Sequence, residues 1–247
     1  MAQAAELDVF PDTVEATLHY IVSNGEKLFT YTGGPGSLDV RTGGTADPRS
    51  VAMHNGRPHV KEFALERDGF RFVRHDTRMK DFFDEAEVRS TYYREMEELI
   101  KQESGARRVV VFDHTLRTAD DELREQQKIR EVVRRVHNDY TEWSGPQRVR
   151  DILPDEAEEL LQRRFAIIQV WRPIRHPVES TPLAIADART VAFDDFVISE
   201  RRYPNRIGQT YAVTYNPQHR WYWLPHMRPG EALVFKVYDS SKDGRAR

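Results

Sequence analysis

The sequence Phe165–Asp187, FAIIQVWRPIRHPVESTPLAIAD, sets two short apolar runs on either side of a segment broken by Pro173, Pro177 and Pro182. Runs of this length, rich in Ile and Val and bounded by proline, read as strands rather than helices. The pattern continues downstream through IGQTYAVTYN (Ile207–Asn216), HRWYWLP (His219–Pro225) and EALVFKVYD (Glu231–Asp239). Many short strands with little helix predict a jelly roll or barrel rather than a parallel α/β sheet.

Upstream the chain is mixed. ATLHYIV (Ala16–Val22) alternates and reads as a strand, and two more are expected around Lys61–Leu65 and Gly69–Val73. Thr32–Pro48, TGGPGSLDVRTGGTADP, reads as a long loop. It lacks the Gly-Lys-Ser/Thr ending and the strand-to-helix setting of a phosphate cradle, so a loop or lid is the better reading. In Glu85–Glu103, Val88, Tyr92, Met96, Leu99 and Ile100 recur at helical spacing and Gly105 supplies a stop. That stripe predicts a helix packed on a sheet. RRVVVFDHT (Arg107–Thr115) reads as a buried strand, TADDELREQQ (Thr118–Gln127) as a polar connection, and Pro154–Gln162 as a short helix.

Composition narrows the function. With a formal net charge of −3 spread along 247 residues, no electrostatic grip on nucleic acid is expected. The absence of cysteine excludes disulfides, thiolate zinc sites and cysteine nucleophiles, and it fits a reducing cytoplasm. No stretch reaches the roughly 18 apolar residues of a membrane helix. The opening MAQAAELDVFPD has no basic segment followed by an apolar run, so no signal peptide is expected.

Chemistry concentrates at His137-Asn138-Asp139, which follows the strand-like Val132–Val136. In a strand, residues i and i+2 share a face, so His137 and Asp139 can present an imidazole and a carboxylate together. That is two-thirds of the two-His, one-carboxylate triad of non-haem iron oxygenases. As a bare tripeptide, His-x-Asp is weak evidence for a metal, and a surface or hydrogen-bonding pair is the better reading of it alone. For a third ligand within the chain, His219 and His226 are candidates by order and His176 is weaker. Each is also read as a structural or surface histidine.

Longer motifs surround the pair. FDHTLR (Phe112–Arg117), VHNDYT (Val136–Thr141), VWRPI (Val170–Ile174), PLAIADART (Pro182–Thr190), YNPQHRWYWLP (Tyr215–Pro225) and EALVFKVYDS (Glu231–Ser240) stand in one order. Together they resemble the bacterial and fungal hydroxylase/desaturase family that includes the 7α-cephem-methoxylase-like proteins, over roughly residues 60–247. The resemblance implies an Fe(II)/2-oxoglutarate-dependent oxygenase on a double-stranded β-helix (jelly roll). It implies a mainly β fold with flanking helices, in one domain with an elaboration at about 1–115 and a core at about 130–247. It implies Fe(II) as metal, 2-oxoglutarate as cosubstrate, and hydroxylation, desaturation or ring formation on a small secondary-metabolite-type substrate. His137 and Asp139 match the family's first two metal ligands.

The same resemblance places the second metal histidine, and a later arginine for the distal carboxylate of 2-oxoglutarate, after KVYDS. Both are therefore expected beyond Arg247, which makes the fold C-terminally incomplete and this chain inactive by itself. Gln169 stands where the family pattern shows Asn, one methylene shorter. Arg172, between Trp171 and Pro173, reads either as a fork for a substrate carboxylate or as a structural ion pair. Arg206 carries the same two readings. Tyr215 belongs to an aromatic-rich segment that serves core packing and pocket lining. The reading from another class is a noncatalytic jelly-roll binding protein with a degenerate metal site. A cupin-type hydrolase or isomerase lacks a Glu-rich ligand pattern and ranks below both.

Overall fold

Alternating apolar residues and β-branched runs are built into four sheets in a computed structural model of the chain, which describes residues 10–31, 40–204 and 206–241. The first strands are β1 (Thr13–Val22), β2 (Leu28–Tyr31), β3 (Val40–Thr42), β4 (Thr45–Asn55) and β5 (Phe70–Arg74). Short strands β6 (Arg117–Thr118), β7 (Arg130–Glu131) and β8 (His137–Asn138) follow. The last group is β9 (Ala166–Trp171), β10 (Ala184–Ala186), β11 (Phe196–Arg202), β12 (Ile207–Val213), β13 (Trp221–Trp223) and β14 (Glu231–Asp239).

Among the described residues the sheets run β1-β4-β13-β10, β3-β2-β11-β12-β8, β5-β14-β9 and β6-β7. Strand alternation stacks them. Trp221, Trp223, Ala184 and Ala186 pack on one side of the four-stranded sheet with Phe196, Val136 and Val213 from the region of the five-stranded one. Tyr222 and Ile185 point the other way, into a core with Phe70, Phe72, Leu233 and Trp171 of the three-stranded sheet. The four-stranded sheet is thus covered on both faces. The outer face of the three-stranded sheet (Val73, Val234, Ile168, Val170) lies against Met96 and Leu99 of a helix.

That helix starts as α1 (Glu85–Glu87), capped by the Asp84 side chain, passes a π turn at Val88–Tyr92 and continues as α2 (Tyr93–Ser104). Gly105, with φ 69°, closes it in the left-handed conformation that a side chain disfavours. The Val88–Ile100 stripe therefore does what its spacing predicts, buttressing a sheet from outside.

Strands after Val132 pair antiparallel with one another, as expected of a jelly roll, but two parallel pairs join them to the N-terminal region: β4 with β13 and β2 with β11. The sheets consequently cross the expected division at about residue 115. Other expectations are corrected. Lys61–Leu65 is a turn, because Phe63 and Leu65 reach the core without a ladder partner. Arg107–Thr115 forms no sheet, since Val111 alone packs under α2 while Val110 and Phe112 stay 37% and 40% exposed. Val132–Val136 holds only an isolated bridge, Arg135 to His19. The glycine-rich stretch yields β3 and the start of β4, and its residues 32–39 lie outside the described ones. Elements not read in advance include β2, most of β4, β6, β7, β11, α3 (Asp121–Gln127) and α4 (Ser144–Ile152). A fifth helix, α5 (Ala157–Leu160), falls inside the expected Pro154–Gln162.

Two buried features hold this stack and can be tested. A Cβ on Gly145 would sit 2.6–2.8 Å from the Tyr238 ring, which is itself stacked on Phe165. Gly145→Ala should cost about 1–3 kcal/mol by overpacking, read as a lower urea midpoint; an unchanged midpoint would show that α4 can lift off β14. Below β14, Asp239 (2% exposed) accepts from Lys236 Nζ at 2.7 Å and from Arg164, whose guanidinium also reaches Glu66. Burial pushes the Asp239 pKa up, but the bonds from Arg164 and Lys236 outweigh it and hold it below its ordinary value. A depressed folded pKa gives stability that is present above the unfolded pKa, about 3.9, and lost as pH falls through the folded one. Acid unfolding should therefore steepen below about pH 4. Asp239→Asn, which leaves the buried Lys236 ammonium only Glu66 as counter-charge at 2.9 Å, should cost about 1–3 kcal/mol at pH 7 and flatten that acid slope.

Candidate metal centre

The residues HNDYTEWS, His137–Ser144, form a strand end followed at once by a helix start. β8 pairs antiparallel with β12, Ala212 facing His137 and Tyr211 facing Asn138. The exit is clamped by two hydroxyl residues. Thr141 N–H donates to Ser144 Oγ at 2.8 Å, and Ser144 N–H donates to Thr141 Oγ1 at 3.1 Å. The Thr141 hydroxyl then donates to Gln209 Oε1 and the Ser144 hydroxyl to the Gln209 carbonyl, at 3.1 and 2.7 Å. Reciprocal bonds of this kind satisfy the orphan donors of a first helical turn. Here they also lash that turn to β12, so Asp139 is held between two anchored points. Thr-x-x-Ser just after His-x-Asp was the signal for this clamp, and it went unread.

The side chains meet as the i, i+2 spacing predicts. His137 Nδ1–H donates to the Arg135 carbonyl at 2.8 Å, which leaves Nε2 with a lone pair. That atom faces Asp139 Oδ1 across 3.4 Å. The other carboxylate oxygen, Oδ2, accepts from Gln169 Nε2 at 2.5 Å. Two acceptor atoms pointed at one another repel unless a cation lies between them. A proton can fill that role, and so can a metal ion bound by both, since ligand bonds of about 2 Å span such a gap. Burial presses the His137 pKa down, yet the bond and charge of Asp139 leave it above its ordinary value. Burial likewise lifts Asp139, but His137 and then Gln169 hold it below the usual carboxylate range. The side chains keep 36% and 38% of their exposure, so a ligand can reach them.

The donor set fits Fe(II): one neutral imidazole nitrogen and one carboxylate oxygen, each oriented from behind by a second hydrogen bond. Among the described residues no third His, Cys, Asp or Glu joins them.

A family model described as "Oxidoreductase/YMDC permease-like domain" matches residues 18–247. The alpha-ketoglutarate-dependent dioxygenase phiK of Fungal sp. (strain ATCC 74256) is 33% identical over 235 residues, covering 92% of this chain and 83% of its own. Hydroxylase/desaturase efuI of Hormonema carpetanum is 30% identical, covering 95% and 86%. The solved structure of the iron and alpha-ketoglutarate-dependent endoperoxidase NvfI superposes with a TM-score of 0.82 at 26% identity, over 96% of this chain and 88% of that one. The chain belongs to the Fe(II)/2-oxoglutarate-dependent dioxygenase family. Its jelly-roll fold is the family's.

The other candidates of this oxygenase lie elsewhere. Arg172 follows β9 on the face opposite Gln169, donating to His75 Nδ1 and to the His75 carbonyl at 3.1 and 3.0 Å. Arg206 stacks over Tyr203 at the β11–β12 turn, 4.3 Å from the ring centroid. Tyr215 packs edge-on against Tyr20 with Arg49 over its ring. His219 is buried, its Nε2 3.0 Å from Asp195 and its Nδ1 3.2 Å from the Tyr20 hydroxyl, which is a structural role. His226 packs against Phe10, and His176 Nδ1 bonds the Pro177 carbonyl at the surface. Gln169 alone of the four binding candidates touches the His137–Asp139 pair.

A positioning role for Gln169 is testable. Gln169→Ala should free one carboxylate oxygen and weaken Mn(II) binding by about 10–100-fold, with Gln169→Asn in between. Equal affinity in all three proteins, by calorimetric titration, would remove the amide from the site.

Proposed function

We propose that His137 and Asp139 bind Fe(II) and that the protein is a hydroxylase or desaturase of a small organic molecule, with 2-oxoglutarate as cosubstrate. The observation that carries this reading is the pair of acceptor atoms facing across 3.4 Å, each fixed from behind and open in front. Iron with 2-oxoglutarate supplies a two-electron oxidation by dioxygen, in which the cosubstrate leaves as succinate and carbon dioxide.

The protein's own part is placement. The Arg135 carbonyl fixes the His137 ring and its tautomer, so that Nε2 is the ligand atom. Gln169 occupies one carboxylate oxygen and so favours one-oxygen ligation by Asp139, which keeps other positions open for cosubstrate and dioxygen. The clamp on Gln209 prevents the loop from swinging when charge at the centre changes. In the family pattern a histidine after the KVYDS segment completes the ligand set, and we assign the third position to such a residue.

His137→Ala and Asp139→Ala should each weaken Mn(II) binding at least 100-fold by electron paramagnetic resonance titration, in protein whose circular dichroism shows it still folded. In protein that carries the family's complete ligand set, either change should abolish succinate formation. Tight metal binding that survives both substitutions would sink the assignment.

A further inference from the structure

The Tyr20 hydroxyl belongs to a buried chain of polar groups that the proposed metal chemistry does not use. Tyr20 is 1% exposed, and its oxygen accepts from Trp221 Nε1–H at 2.7 Å. Its own O–H has His219 Nδ1 within reach at 3.2 Å. With Nδ1 as acceptor, His219 carries its proton on Nε2 and donates it to Asp195 Oδ2 at 3.0 Å. Asp195 also accepts from the Ala192 N–H and from Asn216 Nδ2. Burial lifts the Asp195 pKa, but the bond from His219, with those from Ala192 and Asn216, holds it below its ordinary value. A phenol, a base and a carboxylate therefore stand in series, the base oriented from behind by the third group.

A core hydroxyl is satisfied by any amide, whereas an imidazole backed by a carboxylate can also take its proton. Burial pushes the Tyr20 pKa up to about 12, against the lowering bond from Trp221, so the phenol keeps its proton near neutral pH. Removing an electron without that proton would leave an uncompensated cation in the core, which is costly. With His219 in place the proton has an acceptor, and Asp195 neutralises the imidazolium that results. Trp221 is less suited to hold an oxidation, because its indole proton points at a phenol oxygen, a poor base. The chain has two ends. Val136, the residue before His137, belongs to one buried cluster with Tyr20 and Trp221, and its N–H donates to the His19 carbonyl at 3.0 Å. At the other end half-buried Tyr215 meets Tyr20 edge-on, with ring centroids 5.4 Å apart.

We propose that Tyr20 is a redox-active tyrosine, which gives one electron to an oxidant generated at the iron centre when no substrate takes the oxidation, and gives its proton to His219. The oxidant gains the electron, the Tyr20 O–H bond breaks, an N–H bond forms at His219 Nδ1, and a neutral tyrosyl radical is left. A one-electron reductant of the ascorbate class restores Tyr20 through Tyr215, and the proton returns from His219. Oxidation without substrate is thereby carried away from His137 and Asp139 before it damages them. The source of the oxidant rests on the oxygenase reading; the redox chemistry of Tyr20 does not.

The test is flash photolysis of the whole, metal-free chain with a ruthenium(II) polypyridyl sensitiser and an electron-accepting quencher. Electron paramagnetic resonance with ring-deuterated tyrosine identifies the radical. The wild-type chain should give a tyrosyl radical that outlives any in Tyr20→Phe at least tenfold, because burial shields it. His219→Gln, in protein whose circular dichroism shows it folded, should form at least tenfold less of it. Tyr215→Phe should slow its appearance at least threefold. In fully exchanged heavy water its formation in the wild-type chain should slow at least twofold, as transfer of the Tyr20 proton requires, and this readout needs no variant. A radical unchanged in Tyr20→Phe, His219→Gln or Tyr215→Phe would overturn the proposal, and so would a wild-type rate indifferent to heavy water. Since the ruthenium oxidant needs no metal, a failed assignment at His137 and Asp139 leaves these results as they stand.

Discussion

The carboxylate of Asp139 links two sheets. One oxygen faces His137 on β8, the edge of the five-stranded sheet, and the other accepts from Gln169 on β9, in the three-stranded sheet. Both sheets are independently anchored, β8 through β12 and β9 through β14. The distance between ligand atoms is therefore set by the packing of whole layers, not by a flexible loop. This is how a site gains the sub-ångström placement that metal chemistry requires.

The layers explain why the centre sits at an edge. The four-stranded sheet is buried on both faces by aromatic side chains, so no polar ligand set can be placed there without losing core. At β8 the ladder is only two residues long and then turns into α4. A strand that ends early leaves space, and the Thr141–Ser144 clamp satisfies the backbone groups exposed by its ending. Close approach of Gly145 to the Tyr238 ring then sets the new helix against β14.

Much of this was legible in the sequence, for physical reasons that differ by element. IGQTYAVTYN and EALVFKVYD are short apolar runs bounded by turn residues, and both form strands, β14 being buried along nearly its whole length. The Glu85–Glu103 stripe is equally direct. His137 and Asp139 could be placed together because strand geometry at i, i+2 is local. Arg172 could not be placed, because the side of β9 it emerges on depends on which face the helix covers. VVVF in Arg107–Thr115 misled for a related reason: an apolar run shows a tendency to be covered, not a partner to pair with. The parallel contacts of β4 and β2 are long-range and have no local signature at all. Nor does the pairing of Arg117 with Arg130, which come together only when β6 meets β7.

Comparison of two aspartates shows how one residue type serves stability in one place and binding in another. Asp239 is buried with Arg164 and Lys236 as fixed cations, so its charge is neutralised by the fold itself. Removing one partner there leaves a buried charge with half its compensation, since Lys236 also pairs with Glu66. Asp139 is also depressed in pKa, but its main support is His137, a group that is cationic only when protonated. With the ring neutral, two lone pairs face each other, and the fold offsets them with the Gln169 amide and the charge of Arg117. That deficit favours whatever cation can enter, and 36–38% exposure lets one enter. A fully compensated carboxylate would be more stable and would bind nothing. The incomplete compensation at Asp139 is what suits this edge of the sheet to the proposed metal.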